Sequence, residues 1–191
     1  MVNKLIYADA INEFLKESLP DRVWLGVFPR NKLPFHALCS HQNESDACKM
    51  LVLNLDDEDE PGSHFIAMVC FKKVLYVYDS FGSKLHIRLL QPGLSLILDK
   101  YKLDVWTNSS QHQSYSSNTC GYFCVWFLLE FYVNRQNITP TSICRVFVND
   151  LKPTTSKVNE SIAVDSIASV IEQQEYSRML QRLNKLINIS R

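Results

Sequence analysis

The stretch Gln113-Ser-Tyr-Ser-Ser-Asn-Thr-Cys120-Gly-Tyr-Phe-Cys-Val-Trp-Phe127 joins a polar segment to a nearly continuous apolar run. Residues 116–119 are Ser, Ser, Asn and Thr, which favour loops and helix caps. Tyr122 to Tyr132 is rich in Phe, Trp, Leu and Val, a composition typical of a helix that is buried on most sides. We therefore predict a core helix that begins at or near Cys120.

Cys120 is a candidate nucleophile because of this position. The unpaired N–H groups and positive dipole end of a helix N-terminus lower a thiol pKa from about 8.5 into a range of roughly 3.5 to 7.5. Gly121 lacks the β-carbon that would crowd a substrate carbonyl arriving at the sulfur. The alternative is that Cys120 is simply a buried cysteine, since free Cys is among the most buried residue types. This stretch alone leaves both interpretations open.

Two apolar strands are predicted at Phe65–Phe71 and Val74–Tyr78, with Lys72-Lys73 at the turn between them. Antiparallel pairing across this turn brings His64, just before the first strand, within a residue or two of Asp79, just after the second. Imidazole can take the proton from a thiol. A carboxylate on the far ring nitrogen then fixes the tautomer and stabilises the imidazolium.

His64 and Asp79 also have ordinary structural interpretations. His64 fits a capping or core histidine, and Asp79 fits a turn residue ahead of Ser80-Phe-Gly82. Combined with Cys120, however, they supply the base and the orienting acid that a nucleophilic thiol requires. The three residues together favour a catalytic site over three unrelated structural roles.

Composition limits the classes of protein that fit. A chain of 191 residues with 46% hydrophobic content is sufficient for one domain with a sizeable core. Twenty basic and twenty acidic residues cancel, which argues against binding to nucleic acid or to an anionic membrane as the main function. No apolar run resembles a signal peptide or a membrane span, so we expect a soluble protein that is not secreted.

The remaining elements are predicted from apolar periodicity and from proline positions. A helix is expected from Ala8 to Leu19, before Pro20, and strands are expected at Val23–Phe28 and Lys49–Leu55. Beyond the predicted Cys120 helix, helical segments are expected at Thr141–Leu151 and within Val158–Ile189. We predict a single domain over 1–191, with a core at about 23–133 and a helical C-terminal segment at about 138–190.

Histidines and cysteines between 36 and 48 offer an alternative of another class. His36, Cys39, His41 and Cys48 are zinc-ligand residue types, which would suit a non-catalytic, zinc-structured binding module. Their spacing fits no strong zinc template, and we predict no metal and no cofactor. The six cysteines form no CxxC pair, so reduced thiols are expected rather than a disulfide framework.

The order of motifs resembles a known family. The chain contains, in order, Gly62-Ser-His64-Phe, then Tyr78-Asp79-Ser-Phe-Gly82, and then Gln113 seven residues before Cys120-Gly-Tyr-Phe-Cys124. This order and spacing resemble those of the adenovirus-type (adenain-like) maturation cysteine proteases. More distantly, the order resembles the Ulp-type proteases that cleave ubiquitin-like modifiers. The resemblance covers roughly residues 23 to 133. It implies that Cys120 is the nucleophile, His64 the general base and Asp79 its orienter, with Gln113 donating to the oxyanion beside the Cys120 backbone N–H.

The resemblance also implies a fold and a substrate class. The expected fold is α+β and papain-like or adenain-like, with a central, mostly antiparallel sheet flanked by helices and the nucleophile at a helix N-terminus. The expected activity is that of a monomeric cysteine endopeptidase that cleaves capsid or other precursor proteins after small or Gly residues, through a thioester. Such an enzyme would come from a virus, virophage or polinton-like element and act in the host cytoplasm or nucleus and in the virion. The Ulp-type alternative is an isopeptidase for ubiquitin-like modifiers.

Three features depart from the family pattern. Family members usually have Trp after the catalytic His, whereas this chain has Phe65, which offers a weaker cation–π surface to His64. The adenovirus enzyme is activated by a peptide that forms a disulfide with a Cys upstream of the Gln, but residues 71 to 119 contain no Cys. The neutral net charge gives no support for activation by DNA.

Two assignments within the site rest on weaker grounds. Gln111 and Gln113 share a parity in an extended segment, so side-chain alternation cannot separate them, and only the family spacing singles out Gln113. Trp24 and Trp106 are candidate walls of a narrow substrate groove.

Overall fold

A computed structural model describes residues 6–40, 47–82 and 94–139 of the chain. Within these residues there are four helices and five strands, together with short 3₁₀ turns at Arg30–Lys32 and Arg135–Asn137. In chain order the elements are α1 (Ala8–Ser18), β1 (Trp24–Pro29), α2 (Phe35–Cys39), β2 (Cys48–Asn54), β3 (Phe65–Phe71), β4 (Val74–Tyr78), α3 (Leu94–Tyr101), β5 (Asp104–Thr107) and α4 (Cys120–Asn134).

The five strands form one sheet in the order β1-β2-β3-β4-β5. The central pairs, β2 with β3 and β3 with β4, are antiparallel. The edge pairs, β1 with β2 and β4 with β5, are parallel. The predicted α+β fold, with a sheet flanked by helices, is therefore confirmed, with antiparallel pairing at the centre of the sheet and parallel pairing at both edges.

Alternate residues of the central strands point into two separate apolar clusters, as a pleated strand requires. One cluster contains the residues that face α1 and α4, among them Met50, Val52, Ala67, Val69, Phe71, Tyr76 and Tyr78. The other contains the residues that pack with α2 and with Leu98 and Tyr101 of α3, among them Leu51, Leu53, Ile66, Met68, Cys70, Leu75 and Val77. Both faces of the central strands are buried, which is why their sequences are continuous apolar runs.

Helix α4 lies against the first of these faces and is buried along most of its length. Gly121, in its first turn, is where α1 approaches: a β-carbon there would meet the side chains of Ile6 and Ile11. The expectation that Gly121 makes room for a substrate is therefore wrong, because the space is used for helix packing. Ile6 and the buried residues of α1 share one apolar cluster with α4.

The predicted elements that fall on described residues are all present. Strands β3 and β4 have the predicted bounds, and β1 and β2 differ from theirs by one residue. Helix α2, helix α3 and strand β5 were not predicted. The predicted C-terminal helices at 141–151 and 158–189 lie outside the described residues. In the part of the chain that the structure describes, no helix combines the length and apolar character needed to cross a membrane.

The β3–β4 hairpin has a two-residue turn, because Phe71 pairs with Val74. Lys72 and Lys73 in this turn have φ angles of 47° and 61°. Two successive residues with positive φ fit the type I′ turn, which matches the twist of paired strands and normally carries Asn-Gly. Lysine in the left-handed region carries a steric cost that glycine does not.

Replacing Lys73 by Gly should therefore raise the free energy of unfolding by about 0.5–1 kcal/mol. Lys16→Gly, in the last turn of α1, is the matched control and should lower it by about 0.5–1 kcal/mol, because glycine is unfavourable within a helix. Urea denaturation of both variants checks the signs. A loss of stability in Lys73→Gly comparable with that in Lys16→Gly would contradict the turn geometry.

Candidate active site

The hairpin and helix α4 bring three predicted site residues to one end of the sheet. His64 directly precedes β3, Asp79 directly follows β4, and Cys120 is the first residue of α4. Ala67 pairs with Tyr78, so the same register extended beyond the strands places position 64 opposite 81 and diagonal to 79. Diagonal neighbours across an antiparallel pair are within reach of a long side chain.

Asp79 and His64 form a short hydrogen bond in a buried environment. His64 Nε2 lies 2.7 Å from Asp79 Oδ1, and the two residues are 9% and 2% exposed. The same carboxylate oxygen accepts the backbone N–H of Phe81 at 2.9 Å. Because Nε2 faces the acid, the other ring nitrogen, Nδ1, is the one available for the hydrogen bond between His64 and the Cys120 side chain.

This arrangement favours a charged thiolate–imidazolium pair. Burial lowers the pKa of His64, but hydrogen bonds with Asp79 and Cys120 outweigh it and raise the pKa to about 9. Burial also raises the pKa of Cys120, but the hydrogen bond with His64 and its charge, assisted by the backbone N–H groups of Phe65 and Gly121, bring it below its usual value. At neutral pH the imidazole is therefore held protonated beside a thiol that readily loses its proton.

Gln113 is buried beside the pocket that contains Cys120. Its Oε1 accepts the Ser80 hydroxyl at 2.5 Å, and its Nε2 donates to the Ser117 carbonyl at 2.9 Å. Gln111 instead donates its side-chain amide to the Gln113 carbonyl at 2.7 Å, and it is not among the described residues that line the pocket. Of the two competing glutamines, the structure brings Gln113 to the pocket.

A pocket of about 660 Å³ opens at Cys120. Its walls come from the start of α1, the loop before β3 and the loop before α4. The lining residues are Ile6, Tyr7, Ala8, Asp9, Asn54, Pro61, Gly62, Ser63, His64, Phe65, Phe81, Gln113, Tyr115, Ser117, Asn118 and Cys120.

The predicted tryptophan walls are wrong. Trp24 is buried in the core and donates its indole N–H to Asn12 Oδ1 at 3.1 Å. Trp106 packs against the same core, with its ring 6.0 Å from that of Tyr76. Both side chains pack against the core of the sheet, and neither is among the described residues that line the pocket.

The aromatic ring against His64 comes from Phe81, which sequence reasoning missed. The His64 and Phe81 rings stack with centroids 4.6 Å apart, and Phe81 stacks in turn on Tyr115 at 5.2 Å. The expectation that Phe65 supplies this surface is wrong; its backbone N–H acts on Cys120 instead. A signal for Phe81 existed in the sequence, because a two-residue turn at Lys72-Lys73 already places position 81 opposite 64.

Asn108 holds the turn that carries Asp79, and sequence reasoning missed this residue as well. Its Oδ1 accepts the Asp79 N–H at 2.8 Å, and its Nδ2 donates to the Asp79 carbonyl at 2.6 Å and to the Ser110 carbonyl at 3.1 Å. Gly82 lets the two segments approach: its φ is 68°, and a β-carbon there would lie 2.6 Å from the Ser110 backbone. Nothing in the local sequence distinguishes Asn108 from other polar loop residues.

The residues proposed as zinc ligands are not arranged around a common centre in the part of the chain that the structure describes. Cys39 is buried and hydrogen-bonded to Cys70, and Cys48 is also buried. His41 lies outside the described residues. Within 6–40, 47–82 and 94–139, no group of three His, Cys, Asp or Glu side chains could hold a metal ion.

No protein-family model matches the sequence, and no curated protein matches it. Among solved structures, the chain is similar to ChlaDub1 from Chlamydia trachomatis, with 14% identity and a TM-score of 0.43 over 67% of this chain and 60% of that one. It is also similar to the ASFV pS273R protease, with 18% identity and a TM-score of 0.37 over 61% and 42% of the two chains. The Legionella pneumophila effector protein RavZ gives 12% identity and a TM-score of 0.36 over 63% and 42%. The chain thus spans less than two thirds of each of these proteins.

The charge state of the pair predicts selective alkylation. Iodoacetamide at about pH 6 should label Cys120 much faster than Cys124, because only a thiolate reacts efficiently and burial raises the pKa of Cys124 well above its usual value. Asp79→Asn should slow labelling of Cys120 about tenfold or more at this pH, the factor that corresponds to one pKa unit.

Mass spectrometry of each cysteine against time measures these rates, and Cys120→Ala identifies the fast site. Equal labelling of Cys120 and Cys124, or an Asp79→Asn rate equal to that of the unmodified protein, would contradict the assigned charge state.

Proposed function

We propose that this chain is a cysteine peptidase that cleaves protein substrates by acyl transfer at Cys120. The observation that carries the proposal is the buried chain of contacts from Asp79 through His64 to Cys120, which opens into a pocket beside Gln113. A carboxylate that orients an imidazole, which in turn activates a nucleophile, is the recurring arrangement of covalent hydrolases. His64 is the general acid and base, and Asp79 is its orienter.

The reaction begins when the Cys120 thiolate attacks a peptide carbonyl and forms a C–S bond. The resulting oxyanion accepts hydrogen bonds from Gln113 Nε2 and from the Cys120 backbone N–H, one of the first-turn amides of α4 that have no partner within the helix. His64 gives its Nδ1 proton to the leaving amine as the C–N bond breaks. Neutral His64 then takes a proton from water, which attacks the thioester and releases the acid and the thiolate.

For the substrate, the proposal follows the motif order in the sequence. In its finer form, the proposal is a monomeric endopeptidase that cleaves capsid or other precursor proteins of a virus or virophage after small or Gly residues. Its proposed sites of action are the host cytoplasm or nucleus and the virion. The second candidate is an isopeptidase for ubiquitin-like modifiers, favoured by the more distant Ulp-type resemblance. Incubation with viral precursors and with ubiquitin-like conjugates, followed by sequencing of the new N-termini, separates the two.

The test of peptidase activity uses two neighbouring cysteines. Cys120→Ala should abolish hydrolysis of a fluorogenic peptide library that carries Gly before the scissile bond, because it removes the nucleophile. Cys124→Ala, one helical turn away and 1% exposed, should retain hydrolysis. Circular dichroism verifies that both variants fold. Loss of activity in folded Cys124→Ala, or its survival in Cys120→Ala, would remove Cys120 from the nucleophile's role.

The two glutamines predict different kinetic effects. Gln113→Ala should lower kcat by about 100- to 1,000-fold with little change in KM, because an oxyanion contact strengthens in the transition state. Gln111→Ala should stay within about tenfold of the unmodified enzyme, a loss below roughly 1.4 kcal/mol, since Gln111 is not among the described residues that line the pocket. Steady-state kinetics on one peptide measures both, and the reverse ranking would place the oxyanion donor two residues upstream.

A further inference from the structure

Ser80 lies between Asp79 and Phe81, in the turn that carries the acid of the site, and is 1% exposed. Its hydroxyl donates to Gln113 Oε1 at 2.5 Å. Its carbonyl accepts the backbone N–H groups of His112 at 2.8 Å and of Gln113 at 2.9 Å. One residue of the acid turn therefore contacts both the main chain and the side chain of the glutamine segment.

These contacts fix which end of the Gln113 amide faces which partner. The Ser117 carbonyl can only accept a hydrogen bond, so the nitrogen of the Gln113 amide must be the atom 2.9 Å from it. The amide oxygen is then the atom that faces Ser80, and the hydroxyl of Ser80 must donate to it. Rotating the amide by half a turn would place two oxygens against each other at Ser117.

The orientation of the amide matters at the pocket. Its nitrogen carries two N–H groups, and one of them is directed to Ser117. Ser117 lines the pocket together with Cys120, whereas Ser80 is not among the described lining residues. Holding the amide oxygen at Ser80 therefore keeps the nitrogen on the pocket side of the amide. An amide that rotates would present its oxygen to the developing negative charge and destabilise the transition state.

We propose that Ser80 is a positioning residue for the oxyanion donor: its hydroxyl fixes the Gln113 side-chain amide so that the nitrogen faces the reacting carbonyl. This inference rests on the proposed peptidase function and deepens it. Because Ser80 is adjacent to Asp79, a single turn orients both the imidazole and the oxyanion donor. Ser80 itself does not contact the substrate.

The kinetic test compares two reactions of Cys120. Ser80→Ala should lower kcat for a fluorogenic peptide by about 10- to 100-fold with KM little changed, less than the full loss of an oxyanion donor. It should weaken the binding of a peptide aldehyde by a similar factor, because the aldehyde forms a tetrahedral adduct with an oxyanion. Alkylation of Cys120 by iodoacetamide forms no oxyanion. Its rate should therefore stay within about twofold of that in the unmodified protein, since the thiolate is unchanged.

Two further variants separate positioning from a general structural role. In a Gln113→Ala background, Ser80→Ala should cause no additional loss of kcat, because the group that it positions is absent. Ser18→Ala is the matched control: its hydroxyl also donates one hydrogen bond, to the Phe14 carbonyl at 2.8 Å in α1, and its removal should leave kcat unchanged. If Ser80→Ala does not fold, Ser80→Cys replaces it; this weaker donor should give an intermediate loss.

A readout that needs no activity keeps the inference separate from the proposed function. The side-chain amide signals of Gln113, assigned in a ¹⁵N-correlation spectrum by their loss in Gln113→Ala, should move toward those of solvent-exposed amides in Ser80→Ala. Unmoved signals, or equal kcat losses from Ser80→Ala with and without Gln113, would overturn the role of Ser80. A different outcome would overturn the peptidase proposal alone: the Gln113 signals move in Ser80→Ala, but the unmodified protein neither cleaves peptides nor binds the aldehyde.

Discussion

A carboxylate that is 2% exposed imposes the main constraint on this structure. Removing a charged group from water costs several kcal/mol unless hydrogen bonds replace the lost solvation. Asp79 receives such bonds from His64 at 2.7 Å and from the Phe81 N–H at 2.9 Å. The hydrogen bond from His64 therefore helps to stabilise the buried carboxylate, and the carboxylate in turn raises the pKa of His64.

This interdependence also sets the geometry of the thiol. Because Asp79 takes the Nε2 side of the ring, His64 meets Cys120 through its other side, and stacking on Phe81 limits rotation of the ring. The dipole of α4 and the N–H groups of Phe65 and Gly121 then act on the sulfur from the helix and strand termini. These groups lie at the ends of regular elements, so the rigid sheet and helix fix the positions of the reacting side chains.

The polar contacts below the pocket join two segments that are far apart in sequence. Asn108 binds both backbone groups of Asp79, and the Ser80 carbonyl binds the N–H groups of residues 112 and 113. Buried hydrogen bonds that share partners in this way strengthen one another and hold both segments in one arrangement. Residues that never meet a substrate therefore hold the geometry on which the chemistry depends.

The sequence was informative where local rules determine the structure. The turn at Lys72-Lys73 determined the register that relates His64 to Asp79, and the change from polar to apolar residues located the start of α4. The sequence was uninformative where contacts between distant segments determine the position of a side chain. Trp24 is an apolar residue that the sequence alone could not assign to core or groove, and the contacts of Asn108 arise from segments 29 residues apart. Helix α2 and strand β5 are too short to show a clear period.

The protonation state of His64 tests the central claim most directly, because the thiolate–imidazolium pair requires a raised histidine pKa. Proton NMR of the imidazole Hε1, assigned with a His64→Gln variant, follows this group through a pH titration, and His112, with a pKa of about 4, serves as a buried reference. The structure predicts that His64 titrates with a pKa of about 9. A His64 titration at or below its usual value of 6.5 would contradict the ion pair.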